Sequence, residues 1–147
     1  IVINIQGDEP FISPDIIDGA VLLLLEEKSI QMSTAASLSL SQDEWENPNV
    51  VKVELDDDGF AKDFFRVPEG EQSTKHLKHI GIYTFRREYL LKLVKMEKSS
   101  REIERRLEQM RAMDIDCKMG VFVTEYDVIG VNTPDDLNAL IEDMGIA

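Results

Sequence analysis

Ile1-Val2-Ile3-Asn4-Ile5-Gln6-Gly7-Asp8-Glu9-Pro10 decides the reading of this chain. Its first five residues form a nearly continuous β-branched run, the composition of a strand buried on both faces of a parallel sheet. Gly7 to Pro14 then supply turn residues. Asp15–Lys28 reads as a helix, with Ser13 able to cap it and Pro14 suited to its first turn. In open α/β sheets ligands sit beyond the C-terminal ends of strands, so the loop Gln6 to Pro10 is the first place to look for a site. Taken alone, that loop reads first as a tight turn in which Gly7 gives backbone freedom and Asp8 caps the next segment.

Working outward, Gln31–Leu40 and Val50–Leu55 are strand-like. Asp56-Asp57-Asp58-Gly59 is a hairpin turn leading to a third such stretch, Phe60–Arg66, so residues 50–66 are expected to pair antiparallel. Pro68–Ser73 is a polar loop, His76–Arg86 a strand and Arg87–Lys95 a short helix. Ser99 or Ser100 caps a longer helix in which Ile103, Leu107, Met110 and Met113 recur as a core stripe. Met119–Glu125 is the last clear strand. Thr133-Pro134-Asp135-Asp136 opens a terminal helix, with Thr133 as N-cap and two acids facing the positive end of its dipole. The run Val21 to Leu25 leaves no polar face over two turns, so much of its helix should be covered.

The chain has 147 residues, 43% hydrophobic and 31% charged, which suits one globular domain spanning 1–147. Twenty-nine acidic against 16 basic side chains give a formal charge of -13, which repels nucleic acid and anionic membrane surfaces. The longest apolar run, Ala20 to Leu25, falls far short of the roughly 20 residues that span a bilayer. The lone cysteine, Cys117, cannot form an internal disulfide and reads as a small buried hydrophobe, in keeping with a reducing cytoplasm. The chain opens at Ile1 inside a strand, which suggests that an upstream part has been cut away.

Three further stretches join the first loop: Lys78-His79-Ile80-Gly81-Ile82-Tyr83, Leu107-Glu108-Gln109-Met110-Arg111, and Ile129-Gly130-Val131-Asn132-Thr133-Pro134-Asp135-Asp136-Leu137. With Asn47-Pro48-Asn49-Val50-Val51-Lys52-Val53 and Phe64-Phe65-Arg66, their order and spacing resemble the CMP-KDO synthetases, the cytidylyltransferases that activate the acid sugar of lipopolysaccharide. The resemblance covers essentially the whole chain. It implies an α/β fold with a mixed, mostly parallel sheet of the nucleotide-diphospho-sugar transferase type, carrying an antiparallel extension. It implies a reaction in which a sugar hydroxyl attacks the α-phosphate of CTP and pyrophosphate leaves, with Mg2+ as cofactor.

Carried over by that match, Asp8 is a metal ligand at the catalytic centre and Gln6 an amide that contacts the sugar. His79 and Arg66 fall at positions that meet the anionic sugar; without the resemblance they are a strand histidine and a surface ion-pair residue. Glu102 and Gln109, seven residues apart on the expected helix, could reach the same sugar, with Tyr83 walling the pocket. A solvated first-turn acid is an equal reading of Glu102. Where the family has the aspartate of Gly-Val-Asp-Thr-Pro as a second metal ligand, this chain has Asn132, whose amide implies weaker metal binding. Phe65 replaces the usual serine before Arg66, which leaves room for an amino analogue of KDO or another acid sugar. The family's glycine-containing CTP loop is not found, so the expectation is a sugar and metal half-site, inactive alone, in a homodimer or larger assembly. A non-catalytic oligomerising remnant is the rival of a different class.

Overall fold

The computed structural model describes residues 1–126, 130, 131 and 133–143. Six strands form one mixed sheet: β1 (Val2–Ile5), β2 (Met32–Ser37), β3 (Lys52–Leu55), β4 (Ala61–Phe65), β5 (His76–Phe85) and β6 (Met119–Thr124). Strand order is β4-β3-β5-β2-β6, with β1 also paired to β5. Only β2 and β6 run parallel among the described strands; the other pairings are antiparallel. The α/β class and the mixed sheet are therefore as expected.

β5 is the organising strand. Residues 76–78 pair with β3 and residues 82–85 with β1 on one side, while β2 runs along the other. β2 can sit centrally because Met32-Ser33-Thr34-Ala35-Ala36-Ser37 is small and buried throughout. Its hydroxyls are satisfied in place: Ser33 Oγ donates to Ala20 O at 2.6 Å, and Thr34 Oγ1 donates to Ile82 O at 2.7 Å. Buried hydroxyls without such partners would be costly.

Helix α1 (Pro14–Glu26) covers one face through Ile16, Gly19, Ala20 and Leu24. Ser13 Oγ accepts from Asp15 N at 3.3 Å, as the capping sequence required. Gly19 is needed by contact, since a Cβ there would lie 2.4 Å from the Phe122 ring. The opposite face holds the larger core, in which Phe64, Met110 and Met119 are fully buried. α3 (Arg87–Leu93), α4 (Ser100–Arg105) and α5 (Met110–Met113) pack on that side; α2 (Gln42–Glu46) and α6 (Pro134–Asp143) complete the chain order.

Four expectations are corrected. The sheet is not mostly parallel: among the described strands four of the five pairings are antiparallel. β1 is not buried between parallel neighbours: it lies antiparallel to β5, and Ile3 and Ile5 are 44% and 41% exposed. A β-branched run records strand propensity, not which strands stand beside it. The helix after Ser99 is broken, because Arg106 takes a left-handed conformation (φ 54) and ends α4. Ile103 is consequently 65% exposed, while Leu107 and Met110 enter the core from beyond the break. α1 also leaves Leu22 and Leu25 exposed. The short α2 went unread, although Ser41 and Glu44 form a complete capping box. Cys117 precedes β6 and is half-buried.

Candidate active site

The site is built where β5 changes partner. On an alternating strand His79, Gly81 and Tyr83 share one face. Gly81 O accepts from Gln6 N at 2.8 Å, and Gly81 N donates to Glu9 Oε1 at 2.9 Å. A Cβ on Gly81 would stand 3.0 Å from Gln6 Oε1 and 3.1 Å from Glu9 Cγ. The missing side chain therefore lets the loop after β1 close onto the strand, seating the Gln6 amide over Gly81. Asp8 O accepts from Val131 N at 2.8 Å, which brings the segment before α6 alongside.

Two cavities flank this contact. The first, about 590 Å³, is lined by Gln6, Arg66, His79, Tyr83, Glu102 and Gln109, so the structure gathers every residue singled out for the sugar. The second, about 520 Å³, contains Asp8 with Glu9, Asp135 and Asp136. Gln6, Val51 and His79 line both. The expected ligand Asn132 lies outside the described residues.

The two cavities differ in charge. Arg66, Lys98 and Arg106 line the first beside Glu108 and the Glu102–Arg111 pair, and among the described residues none of these three cations has a carboxylate within ion-pair distance. The Arg66 guanidinium is held instead by Pro48 O and Asn49 O at 3.3 and 3.2 Å. Acids dominate the second cavity, and burial raises the Glu9 carboxyl above its ordinary range, with Asp8 adding to the effect.

Glu102 is not a solvated acid. It is 6% exposed, and both its oxygens accept from Arg111, at 2.7 and 2.6 Å. Those bonds hold its carboxyl below the ordinary range. Gln109 follows the helix break instead of lying two turns along one helix, yet the fold returns it to the same cavity. It is 3% exposed, and its Nε2 has no hydrogen-bond partner among the described residues.

His79 carries a tautomer assignment. Thr34 Oγ1 lies 2.8 Å from His79 Nε2 and donates its only proton to Ile82 O. It must therefore accept from Nε2–H, leaving Nδ1 as the acceptor. Burial, helped by the Arg66 charge, pushes His79 down to about 3, so the ring is neutral. Burial likewise keeps the Tyr83 hydroxyl protonated.

Sequence reasoning missed Glu9, Lys98, Arg106 and Lys52. Lys52 was signalled by a single charge inside Val50-Val51-Lys52-Val53. It is fully buried, and its Nζ donates to Asn47 O and Arg66 O, both at 2.7 Å.

A mixed sheet with helices on both faces and polar cavities beyond the end of β1 defines an α/β fold of the kind that places sites at strand ends. Residues 1–119 match the Cytidylyltransferase family, and the chain belongs to it. Among its relatives are proteins named 3-deoxy-manno-octulosonate cytidylyltransferase. It is 37% identical to the 3-deoxy-manno-octulosonate cytidylyltransferase of Geobacter sulfurreducens, over 97% of this chain and 63% of that protein. It is 40% identical to the enzyme of the same name from Pelobacter propionicus, over 93% of this chain and 60% of that one. A solved structure of CMP:2-keto-3-deoxy-manno-octonic acid synthetase complexed with CTP superposes with a TM-score of 0.85 at 30% identity, covering 98% of this chain and 61% of that one. The chain thus spans about three-fifths of the length of the relatives it matches.

Proposed function

We propose that this chain supplies the sugar and metal half-site of an enzyme that transfers CMP from CTP to 3-deoxy-manno-octulosonate. The observation that carries the reading is the pair of adjoining cavities of opposite charge that share Gln6, Val51 and His79. An anionic sugar suits the cationic cavity, where a guanidinium free of carboxylate partners can take its carboxylate. The Gln6 and Gln109 amides and the neutral His79 ring suit hydroxyl groups. With a pKa of about 3, His79 is too weak a base to take a hydroxyl proton at neutral pH, so its Nδ1 orients the hydroxyl instead. In the reaction a sugar oxygen bonds to the α-phosphorus of CTP, the bond to the β-phosphate oxygen breaks, and pyrophosphate leaves as the hydroxyl proton is lost to water.

The second cavity sets Asp8 beside Glu9, Asp135 and Asp136. Such carboxylates suit Mg2+, which binds through one or two of them and completes its shell with water and substrate phosphate oxygens. Asp8 is the residue to hold it, with Asn132 at the second family position. Mg2+ would neutralise charge on the phosphates.

The half-site reading makes the chain inactive by itself, and β1, whose outer edge has no partner strand among the described residues, favours a homo-oligomer. No helix among the described residues is long and apolar enough to cross a membrane, and cytoplasmic residence is part of the proposal.

Thermal unfolding with 3-deoxy-manno-octulosonate tests it, because a ligand bound only by the folded state raises the midpoint. The wild type should gain stability that Arg66→Ala abolishes, and a further Mg2+-dependent gain should vanish in Asp8→Ala. No shift at millimolar sugar would defeat the reading. A larger shift with an amino analogue or another acid sugar would reassign the substrate within it.

A further inference from the structure

Lysine is seldom fully buried unless a carboxylate accompanies it. Lys52 is fully buried, yet its Nζ donates to two backbone carbonyls, Asn47 O and Arg66 O, each at 2.7 Å. The acid whose charge acts on Lys52, Glu44 of α2, accepts from Lys78 Nζ at 2.7 Å. Arg66 in turn donates to Pro48 O and Asn49 O. Two cations therefore share the carbonyls of one short segment and of the end of β4. An apolar side chain would fill position 52 at lower cost if packing were the only demand. The ammonium adds a tie between residues 47–49 and Arg66, made without a carboxylate that would neutralise either cation.

We propose that Lys52 is a positioning residue for the anion-binding cavity, tying the Asn47 and Arg66 carbonyls together so that the Arg66 guanidinium is presented to the ligand with its charge uncompensated. This rests on the reading of the cavity as an acid-sugar site, although the tie itself can be tested without a ligand. Lys52 faces Arg66 beyond β4, Glu44 on α2 and Lys78, its direct cross-strand partner on β5. Burial, aided by Arg66, pushes Lys52 down to about 8, so the positive charge beside Arg66 disappears as the pH rises through that value.

The experiment follows the Arg66 guanidinium by 13C-detected NMR in the full chain from pH 6.5 to 9.5, with Arg66→Lys assigning the signal. The wild-type signal should move with a midpoint near 8, and Lys52→Met should show no such midpoint. Calorimetry with 3-deoxy-manno-octulosonate should show Lys52→Met binding about tenfold or more weakly, the loss expected for a misplaced charge-assisted contact. A folded Lys52→Met with unchanged Arg66 signal and affinity overturns the proposal. Should that variant not fold, the wild-type titration decides, and a flat Arg66 signal between pH 7 and 9 overturns it. If the Arg66 signal behaves as described but the wild type binds no acid sugar, the positioning role stands and the reading of the cavity's occupant falls.

Discussion

Replacing Glu102 by alanine should cost the fold about 3 kcal/mol. Glu102 is 6% exposed, and Arg111 meets both its oxygens at 2.7 and 2.6 Å. Without the carboxylate, Arg111 keeps, among the described residues, long contacts to Leu93 O and Met96 O, at 3.4 and 3.5 Å. Removing one partner of a buried pair costs about 3–5 kcal/mol because it strands the other charge. The Arg111 side chain is 17% exposed, which places the value at the lower end. For 147 residues, an unfolding entropy of about 0.3 kcal/mol/K turns that loss into a fall in Tm of about 10 °C. Urea unfolding followed through Trp45, the single tryptophan and itself 4% exposed, provides the assay. Glu102→Ala with Arg111→Met should be more stable than the two single losses summed, with a coupling of about 2 kcal/mol. Because the Arg111 bonds lower the Glu102 pKa, its contribution is present above the ordinary value of 4.5 and is lost as pH falls below it. A single-variant cost under about 0.5 kcal/mol with no coupling would refute the buried pair and leave Glu102 free to meet a ligand.

Gly81→Ala should push the Gln6 loop off β5, since the new Cβ would lie 3.0–3.2 Å from Gln6 and Glu9 atoms; we expect a loss of about 1–3 kcal/mol and of sugar-dependent stabilisation, both read from unfolding midpoints. Phe64→Ala, at a fully buried position, should cost about 3–5 kcal/mol in the same urea assay. Long-range 1H–15N spectra should show His79 as the neutral Nε2–H tautomer from pH 8 to 5. Its pKa is lowered from 6.5 to about 3, so the stability linked to it is present above 6.5 and is lost as pH falls toward 3; a ring titrating near 6.5 would refute the assignment.

What the sequence made legible was local or motif-borne. The Asp56 to Gly59 turn could be read because its chemistry is self-contained: Asp56 Oδ1 accepts from Asp58 N and Phe60 N at 3.0 and 2.8 Å, and Gly59 supplies a φ of 84. The Ser13 and Thr133 caps were legible for the same reason. The break at Arg106 was not, because no glycine or proline marks it. Tertiary contacts impose it: Leu107 and Met110 reach the core and Arg111 grips Glu102 only if the chain turns there, and those rewards outweigh the roughly 1–2 kcal/mol that a left-handed non-glycine residue costs. Lys52 was obscured by the same kind of distance. Its partners, at positions 47 and 66, meet only once the β3–β4 hairpin has formed. Gathering the site therefore takes the whole sheet, with Gln6, Arg66, His79 and Gln109 arriving from four separate segments. Sequence reasoning could name those residues by resemblance, but only the packing shows that Glu102 is already paired with Arg111 while the Arg66 guanidinium meets backbone carbonyls, which leaves its charge for an anion.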